Sequence, residues 1–171
     1  LTLGEIGTSG TRDITLTVTD SRGRTSAAKT VSISVVAYSA PSFASYLSQR
    51  CNSSGTVTND GTYVRGLVDF TYSSCSSKNT ITTATYYKKS SATSWTNASK
   101  AFSDNTAFTF GGSLTTESSY DIKYTLTDAF TTISVIDTVS TASVVMDFKA
   151  GGTGVAIGKV CLLYTSPSPR D

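Results

Sequence analysis

The chain has no histidine, and this absence restricts the chemistry open to its other side chains. Histidine is the commonest general base, the commonest metal ligand and the usual partner of a serine or cysteine nucleophile. An enzyme with this sequence would have to rely on its 12 carboxylates among 171 residues. We therefore expect a protein that is not an enzyme and that holds no cofactor.

A glycine-rich segment at residues 151–160, Gly-Gly-Thr-Gly-Val-Ala-Ile-Gly-Lys-Val, has the composition of a phosphate-binding loop but not its spacing. A P-loop needs glycine where Thr153 stands and serine or threonine where Val160 stands. The glycine spacing also misses the dinucleotide-binding fingerprint by one residue. We interpret the glycines instead as a tight turn between two strands, at residues 144–148 and 155–160.

Two aspartates, Asp20 and Asp128, each follow a strand at equivalent positions of an internal repeat. With neighbouring oxygens, such carboxylates could coordinate calcium, which prefers oxygen ligands. An aspartate in this position more commonly accepts backbone hydrogen bonds within its own turn. Because the sequence around Asp128 offers no second carboxylate, the turn role is favoured and no metal site is predicted.

Aromatic residues are concentrated in one short part of the chain, where lysines accompany them: Tyr86, Tyr87, Lys88, Lys89 and Trp95. Amphipathic aromatic side chains suit flat recognition surfaces, such as those that contact sugar rings. The alternative is packing in the core, and consecutive residues of a strand point to opposite faces. At most one of the two tyrosines is then in the core. The candidate glycan contacts are Tyr86, Tyr87 and Trp95.

The elements that must position these residues are indicated by the internal repeat. Residues 13–20, Asp-Ile-Thr-Leu-Thr-Val-Thr-Asp, recur 108 residues later as Asp-Ile-Lys-Tyr-Thr-Leu-Thr-Asp at 121–128. The same offset relates Thr-Val-Ser at 30–32 to Thr-Val-Ser at 138–140. Two strands and the turn between them therefore recur as a unit, and the offset matches the size of one β-sandwich domain.

Apolar and polar residues alternate through nearly the whole chain, which indicates half-buried strands and no helix of useful length. Clusters of Ser, Asn, Asp and Gly separate the strands. Short strands at this spacing are typical of an antiparallel β-sandwich. Six or seven strands are predicted in the complete copy, at residues 43–50, 63–72, 79–88, near Trp95, and at 107–110, 119–127 and 132–139.

Strand parity predicts which side chains form the core of this copy. One row of the second strand is expected to face inward, as are alternate residues of two later strands. Trp95 and one row of tyrosines could complete this core. The predicted inward residues are Val64, Gly66, Val68, Phe70, Tyr72, Phe108, Phe110, Ile122 and Leu126.

Residues 1–37 supply only two strands, and an isolated hairpin is marginally stable in water. We interpret this segment as the C-terminal strands of a truncated domain of the same kind. Its apolar row, Leu16, Val18, Val31 and Ile33, is expected to be more exposed than the equivalent row of the complete copy.

The three cysteines, Cys51, Cys75 and Cys161, are expected to be unpaired. Cys51 precedes the second predicted strand and Cys75 follows it, which separates them by roughly 40 Å, against the roughly 7 Å that a disulfide allows. Inert thiols are the favoured interpretation. The last segment, 161–171, changes abruptly in composition, and we interpret it as a non-native tail.

The charge of the chain points to neither a nucleic acid nor a membrane as a partner. Its 14 basic and 12 acidic residues leave a net charge of +2, which supplies no basic footprint. No apolar run approaches the roughly 18 residues needed to cross a bilayer.

Five segments together carry a resemblance to a known class of proteins: Val-Thr-Asp-Ser-Arg-Gly-Arg-Thr at 18–25, Ala-Tyr-Ser-Ala-Pro at 37–41, Gln-Arg-Cys-Asn at 49–52, Ser-Tyr-Asp at 119–121 and Gly-Val-Ala-Ile-Gly-Lys-Val at 154–160. In this order and spacing the chain resembles siphophage minor structural proteins, of the tail-fibre or baseplate-associated kind, from phages of Gram-positive bacteria. The resemblance covers about residues 10–160. It provides no catalytic residues.

The resemblance implies an all-β protein with a complete, antiparallel immunoglobulin-like β-sandwich at 41–147. The C-terminal hairpin of a truncated similar domain would precede it, and residues 148–160 would begin a trimeric or receptor-binding region. The implied function is a spacer or adhesion module of the virion, assembled in the bacterial host cytoplasm. Its expected partners are other phage tail proteins, further copies of the chain in a homotrimer and host cell-surface polysaccharide.

Two other functions share the same architecture. A bacterial cell-surface adhesin built of tandem immunoglobulin-like repeats would also have threonine-rich strands. An accessory module of a carbohydrate-active enzyme is the third interpretation, and it would need an adjacent catalytic domain. A neighbouring cell-wall anchor would favour the adhesin, and flanking tail genes would favour the phage protein.

Overall fold

The computed structural model describes residues 7–142 and, beyond them, the backbone of two short strands at 146–148 and 155–157. These parts of the chain contain strands, turns and irregular connections but no helix, so the predicted all-β class is confirmed. Every strand pairing is antiparallel. A helix long and apolar enough to span a membrane is not found among the described residues.

Eleven strands are present in the described parts of the chain, and they form four sheets. Pairs β1-β2 and β10-β11 are two-stranded, β3-β4-β7 is three-stranded and β6-β5-β8-β9 is four-stranded. The strands are β1 (Gly10–Leu16), β2 (Lys29–Val35), β3 (Ser42–Cys51), β4 (Tyr63–Thr71), β5 (Thr82–Lys89), β6 (Thr96–Asn97), β7 (Phe108–Gly111), β8 (Tyr120–Thr127), β9 (Thr132–Val139), β10 (Met146–Phe148) and β11 (Val155–Ile157).

The seven strands β3 to β9 form a sandwich, and each lies close to the position predicted for it. The largest difference is the start of β5, which is Thr82 and not residue 79. Asn79 is instead buried in a turn, where its amide nitrogen donates to the Ser73 carbonyl and to Asp128 Oδ2, at 2.7 and 3.0 Å. An asparagine engaged in this way closes a turn and cannot continue a strand.

The core lies between the three-stranded and four-stranded sheets, and parity predicted most of it. Val64, Val68, Phe70, Phe110, Ile122 and Leu126 are buried. Phe108 packs against them and lies over Gly66, where an added Cβ would be 2.6 Å from the Phe108 ring. The other members of the buried cluster are Phe102, Leu114, Tyr120, Tyr124 and Val139.

Two residues predicted for the core lie elsewhere. Tyr72 is 39% exposed, because β4 ends at Thr71 and the alternation does not extend beyond it. Trp95 precedes the short strand β6 and is half-buried outside the core cluster. A tryptophan on a connection is not bound by the parity of the strands that flank it.

Thr85 is fully buried, and its hydroxyl has no hydrogen-bond partner among the described residues. Replacing it by valine keeps the shape and removes a desolvated polar atom. We expect Thr85→Val to raise the free energy of unfolding by about 1 kcal/mol, measured by urea denaturation. Thr83→Val is the matched control, because the Thr83 hydroxyl bonds both the carbonyl and the amide of Phe102 and its loss should destabilise. A Thr85→Val protein less stable than the parent would contradict the prediction.

The apolar row of the β1-β2 hairpin is exposed, as expected. Leu16, Val18 and Val31 are 42%, 73% and 47% exposed, and Ile33 is half-buried. The equivalent residues of the second copy are almost wholly covered by the facing sheet of the sandwich: Tyr124, Leu126 and Val139.

Each copy of the repeat contains two paired strands, and the registers of these two pairings differ by two residues. Ile14 lies opposite Val31 in the first hairpin, whereas Tyr120, and not Ile122, lies opposite Val139 in the second. A shift of two residues keeps every side chain on its original face. The difference arises beyond the ladder of the first hairpin: the isolated bridge between Thr19 and Thr25 encloses five residues, whereas the pair of Thr127 and Thr132 encloses four. The second extra residue lies between that bridge and the pair of Leu16 and Lys29.

The structure gives Asp20 and Asp128 the same turn role. Asp20 Oδ1 accepts hydrogen bonds from the backbone N–H groups of Arg22 and Arg24, at 2.9 and 3.0 Å. Asp128 Oδ1 accepts from the N–H groups of Phe130 and Thr131, at 2.8 and 2.9 Å. Each carboxylate thereby satisfies backbone donors that the reversal leaves unpaired.

Cys51 and Cys75 are free thiols. Cys51 is fully buried at the end of β3, and burial raises the pKa of its thiol. Cys75 is half-buried. Cys161 and the segment 161–171 lie outside the described residues.

Strands β10 and β11 pair antiparallel, with Asp147 opposite Ala156. These are the two strands predicted on either side of the glycine segment. The turn itself, at residues 149–154, lies outside the described part of the chain.

Candidate functional site

The outer face of the four-stranded sheet carries the aromatic and lysine residues singled out in the sequence. We call Tyr86, Lys88, Trp95 and Lys123 the aromatic–lysine cluster. Cross-strand pairing places Tyr86 opposite Lys123, and Lys123 opposite Ile136. Directly opposed residues of paired strands project on the same side of a sheet, so these three side chains form a row across β5, β8 and β9.

Lys123 is the centre of the cluster. Its ammonium nitrogen lies 4.7 Å from the centre of the Tyr86 ring and 4.6 Å from that of the Trp95 ring. Lys88 Nζ lies 5.2 Å from the centre of the Trp95 ring. All three distances are within the range of cation–π attraction. Trp95, which belongs to no strand, is therefore held against the sheet by two ammonium groups.

Asp121 is the only carboxylate that an ion pair joins to the cluster in the described structure. Its Oδ2 lies 3.1 Å from Lys88 Nζ, and Ser90 Oγ donates to its Oδ1 at 2.7 Å. The hydrogen bond from Ser90, which is the larger effect, and the contact with Lys88 both hold the pKa of Asp121 below its ordinary value. The cluster therefore presents two ammonium groups against one carboxylate.

Tyr87, the third candidate glycan contact, lies on the opposite face of β5. Its ring packs against the core, and its centre is 6.2 Å from that of Phe110. The strand alternation that separates it from Tyr86 is the one expected from the sequence. The structure thus brings Tyr86 and Trp95 together on the surface and directs Tyr87 inward.

The surface that results is partly apolar and weakly basic. Ile136 is 54% exposed beside the cluster, while Tyr86 and Trp95 are half-buried. Aromatic edges, an aliphatic side chain and ammonium donors can together contact the apolar faces and hydroxyls of a sugar ring. No group of three or more His, Cys, Asp or Glu side chains in the described residues is placed to hold a metal ion.

A second feature is the junction before the sandwich, residues 37–41, whose contacts were not predicted from the sequence. The Tyr38 ring contacts the Phe130 ring, with 4.6 Å between their centres. Burial and a hydrogen bond with Asp128 raise the pKa of the Tyr38 hydroxyl. The Ala37 carbonyl accepts a hydrogen bond from Ser73 Oγ at 3.3 Å. The connecting segment, residues 37–41 between the β1-β2 hairpin and the sandwich, is therefore bound to the loops of the sandwich.

The third feature is Arg50, near the end of β3, which is only 6% exposed. Its guanidinium donates to four backbone carbonyls at 2.7 to 3.2 Å, those of Gly61, Thr115, Ser118 and Ser140. It also lies over the Tyr120 ring, 5.9 Å from its centre. A cleft of about 400 Å³ borders Arg50. Arg50 was not predicted as important, although it is a charged residue inside an alternating strand.

The sequence matches one protein family along almost its whole length. The model of a family described as a siphovirus protein of unknown function (DUF859) covers residues 1–162. This span includes both copies of the repeat and the aromatic–lysine cluster. No curated protein matches the chain.

Proposed function

We propose a structural role in the virion for this chain, which belongs to the siphovirus protein family DUF859. In this role it is a non-enzymatic spacer and adhesion module of a tail fibre or baseplate. The observation that carries the proposal is that the chain enters and leaves the sandwich at opposite ends. A module of this form adds its full length to an appendage.

The positions of the first and last strands define these two ends. The entry end holds the start of β3 and the β8–β9 turn at residues 128–131, which the connecting segment contacts. The exit end holds the last residue of β9, Val139, which lies opposite Tyr120. Strands of eight residues separate the two ends by about 26 Å.

The docked connecting segment supports a stiff spacer. The Tyr38 ring packs against the Phe130 ring, and the Ala37 carbonyl is hydrogen-bonded to Ser73. These contacts restrict rotation about the segment in addition to the restriction that Pro41 imposes. A stiff connection holds a binding tip at a constant distance from the particle.

We also propose that the sandwich is immunoglobulin-like. One feature favours it beyond the division of seven strands into sheets of three and four. Tyr120 is the first residue of β8, and its hydroxyl accepts a hydrogen bond from the Thr115 N–H, five residues upstream, at 3.0 Å. A tyrosine bonded back in this way near the start of the sixth strand is a hallmark of the immunoglobulin fold.

The location of the protein tests the spacer role directly. Gold-labelled antibodies against the purified chain are expected to bind the tail or baseplate of intact phage particles in electron micrographs, and its peptides should be found in purified virions. Labelling of the bacterial surface in uninfected cells would favour the adhesin interpretation instead. Absence from the virion would overturn the proposal.

We propose further that the aromatic–lysine cluster contacts host cell-surface polysaccharide. Individual contacts of this kind are weak, and many copies on one particle would add through multivalency. Trp95→Ala and Tyr86→Ala are each expected to reduce binding of the chain to purified host cell-wall polysaccharide by up to about tenfold. The reason is that a ring contact of an aromatic side chain contributes about 0.5 to 1.5 kcal/mol, and about 1.4 kcal/mol corresponds to a tenfold change in affinity.

The matched control for this experiment is Tyr46→Ala, since Tyr46 is a 42% exposed tyrosine on the other sheet. Its binding should equal that of the parent chain. Unchanged binding by both Trp95→Ala and Tyr86→Ala would exclude the cluster as the adhesive surface.

A further inference from the structure

We propose that β3 and β9 form a mechanical clamp that allows the sandwich to transmit tension without unfolding. The proposal deepens the spacer role and rests on it, because only a spacer fixed at both ends is loaded through its first and last strands. The clamp consists of the contacts between Ser48 and Asp137 and between Arg50 and Ser140.

Tension along the appendage would reach the sandwich at two points. It would pull on the chain before Ser42, the first residue of β3, and after Ser140, the residue that follows the last residue of β9. These points lie at opposite ends of the sandwich. The load therefore acts along the two strands and in opposite directions.

The contacts between β3 and β9 are placed to resist this load. The Ser48 N–H donates to Asp137 Oδ2 at 2.7 Å, and Arg50 Nε donates to the Ser140 carbonyl at 2.7 Å. Residue numbers rise together along both strands, so the strands run parallel here. Opposed displacement must break both bonds together, whereas a load that peels strands apart breaks bonds one at a time.

Each β3 residue of the clamp also has hydrogen-bond partners outside β9. Ser48 Oγ is hydrogen-bonded to the Tyr124 hydroxyl at 2.6 Å, and Tyr124 is fully buried. Arg50 is held by the carbonyls of Gly61, Thr115 and Ser118. The two bonds between β3 and the β9 segment, from Ser48 to Asp137 and from Arg50 to Ser140, each involve a charged group. Charge-assisted hydrogen bonds are stronger than neutral ones. Neither residue can follow β9 without losing these other partners.

The β1-β2 hairpin provides a contrast within the same chain. Gly10 and Val35 lie directly opposite each other, so tension applied outside them would separate the ladder one pair at a time. The hairpin is expected to open at low force and the sandwich at high force.

The test is unfolding of the whole chain at constant force, with one handle at each terminus. Opening of the sandwich is recognised by release of about 300 Å, since about 100 residues extend by about 3.3 Å each. Asp137→Ala is expected to increase its rate of forced unfolding by about tenfold or more, because it removes the acceptor of a charge-assisted bond. Asp121→Ala is the matched control, since it removes a carboxylate from the neighbouring strand but no β3–β9 contact, and should change the rate less than about threefold.

A second loading geometry separates the clamp from general stability. Handles at Ser54 and Ala142, both at the exit end, would peel β3 from β9, and at the same force the parent sandwich should then unfold faster than when it is pulled from its termini. Equal unfolding rates in the two geometries, or equal effects of the two alanine variants, would overturn the clamp. Failure of the spacer role would show as absence from the virion and would leave the force measurements unchanged.

Discussion

Gly61→Ala is expected to prevent the sandwich from reaching its native structure. A Cβ at this position would lie 2.2 Å from the Cys51 carbonyl oxygen, 2.5 Å from its carbonyl carbon and 2.6 Å from its nitrogen. These are backbone atoms of β3, which is paired with β4 and cannot move aside. The loop that leaves Cys51 folds back over it, and only glycine permits the approach.

The expected cost is about 5 kcal/mol or more, which is comparable to the whole stability of a small domain. Urea denaturation, or the yield of soluble protein, measures it. Gly7→Ala is the control, because no atom lies within 4 Å of the Cβ that it would add. That variant should unfold within about 0.5 kcal/mol of the parent. A Gly61→Ala protein that unfolds within about 1 kcal/mol of the parent would show that the loop does not pass over β3 as described.

Arg50→Met is expected to lower the free energy of unfolding by about 3 kcal/mol or more, measured by urea denaturation. Methionine fills much of the arginine volume but offers no donors. The substitution leaves four carbonyls, of Gly61, Thr115, Ser118 and Ser140, without their shared partner. A carbonyl that water can reach recovers a hydrogen bond from water, so its loss of the arginine destabilises the fold less than the same loss at a buried carbonyl. This limits the total decrease in the free energy of unfolding.

Two further variants identify the cause of the loss. Arg50→Lys keeps the charge but replaces a planar group with five donors by a single ammonium, so it should recover only part of the stability. Arg65→Met removes a half-buried arginine from β4 and should change the stability by less than about 1 kcal/mol. If Arg50→Met and Arg65→Met have the same effect, the carbonyl contacts do not stabilise the fold as inferred.

Features that depend on residues close together in the chain were predicted correctly from the sequence. The bounds of β9, predicted at 132–139, are those of the structure, because apolar alternation is a property of neighbouring residues. The turn role of Asp128 is also local, since its partners are two and three residues away. The opposite orientation of Tyr86 and Tyr87 follows from strand geometry alone.

The candidate site needed more than local pattern. The expected aromatic residues, Tyr86 and Trp95, do meet on one surface, but the residue between their rings, Lys123, was not anticipated. Lys123 lies on β8, more than 25 residues from Trp95, and it arrives there only through the register of β5 with β8. Trp95 itself was open to two interpretations, because parity does not extend into a connection.

The sequence by itself determined where the strands and turns of this protein lie and which face of each strand is apolar. Both follow from the alternation of side chains and from residues close to one another in the chain. Only the tertiary structure decided that Arg50 meets Ser140, that Ser48 meets Asp137 and that Tyr38 meets Phe130. These partners are some 90 residues apart, and they meet because burial of the apolar faces brings the two sheets together, a condition that no local pattern records.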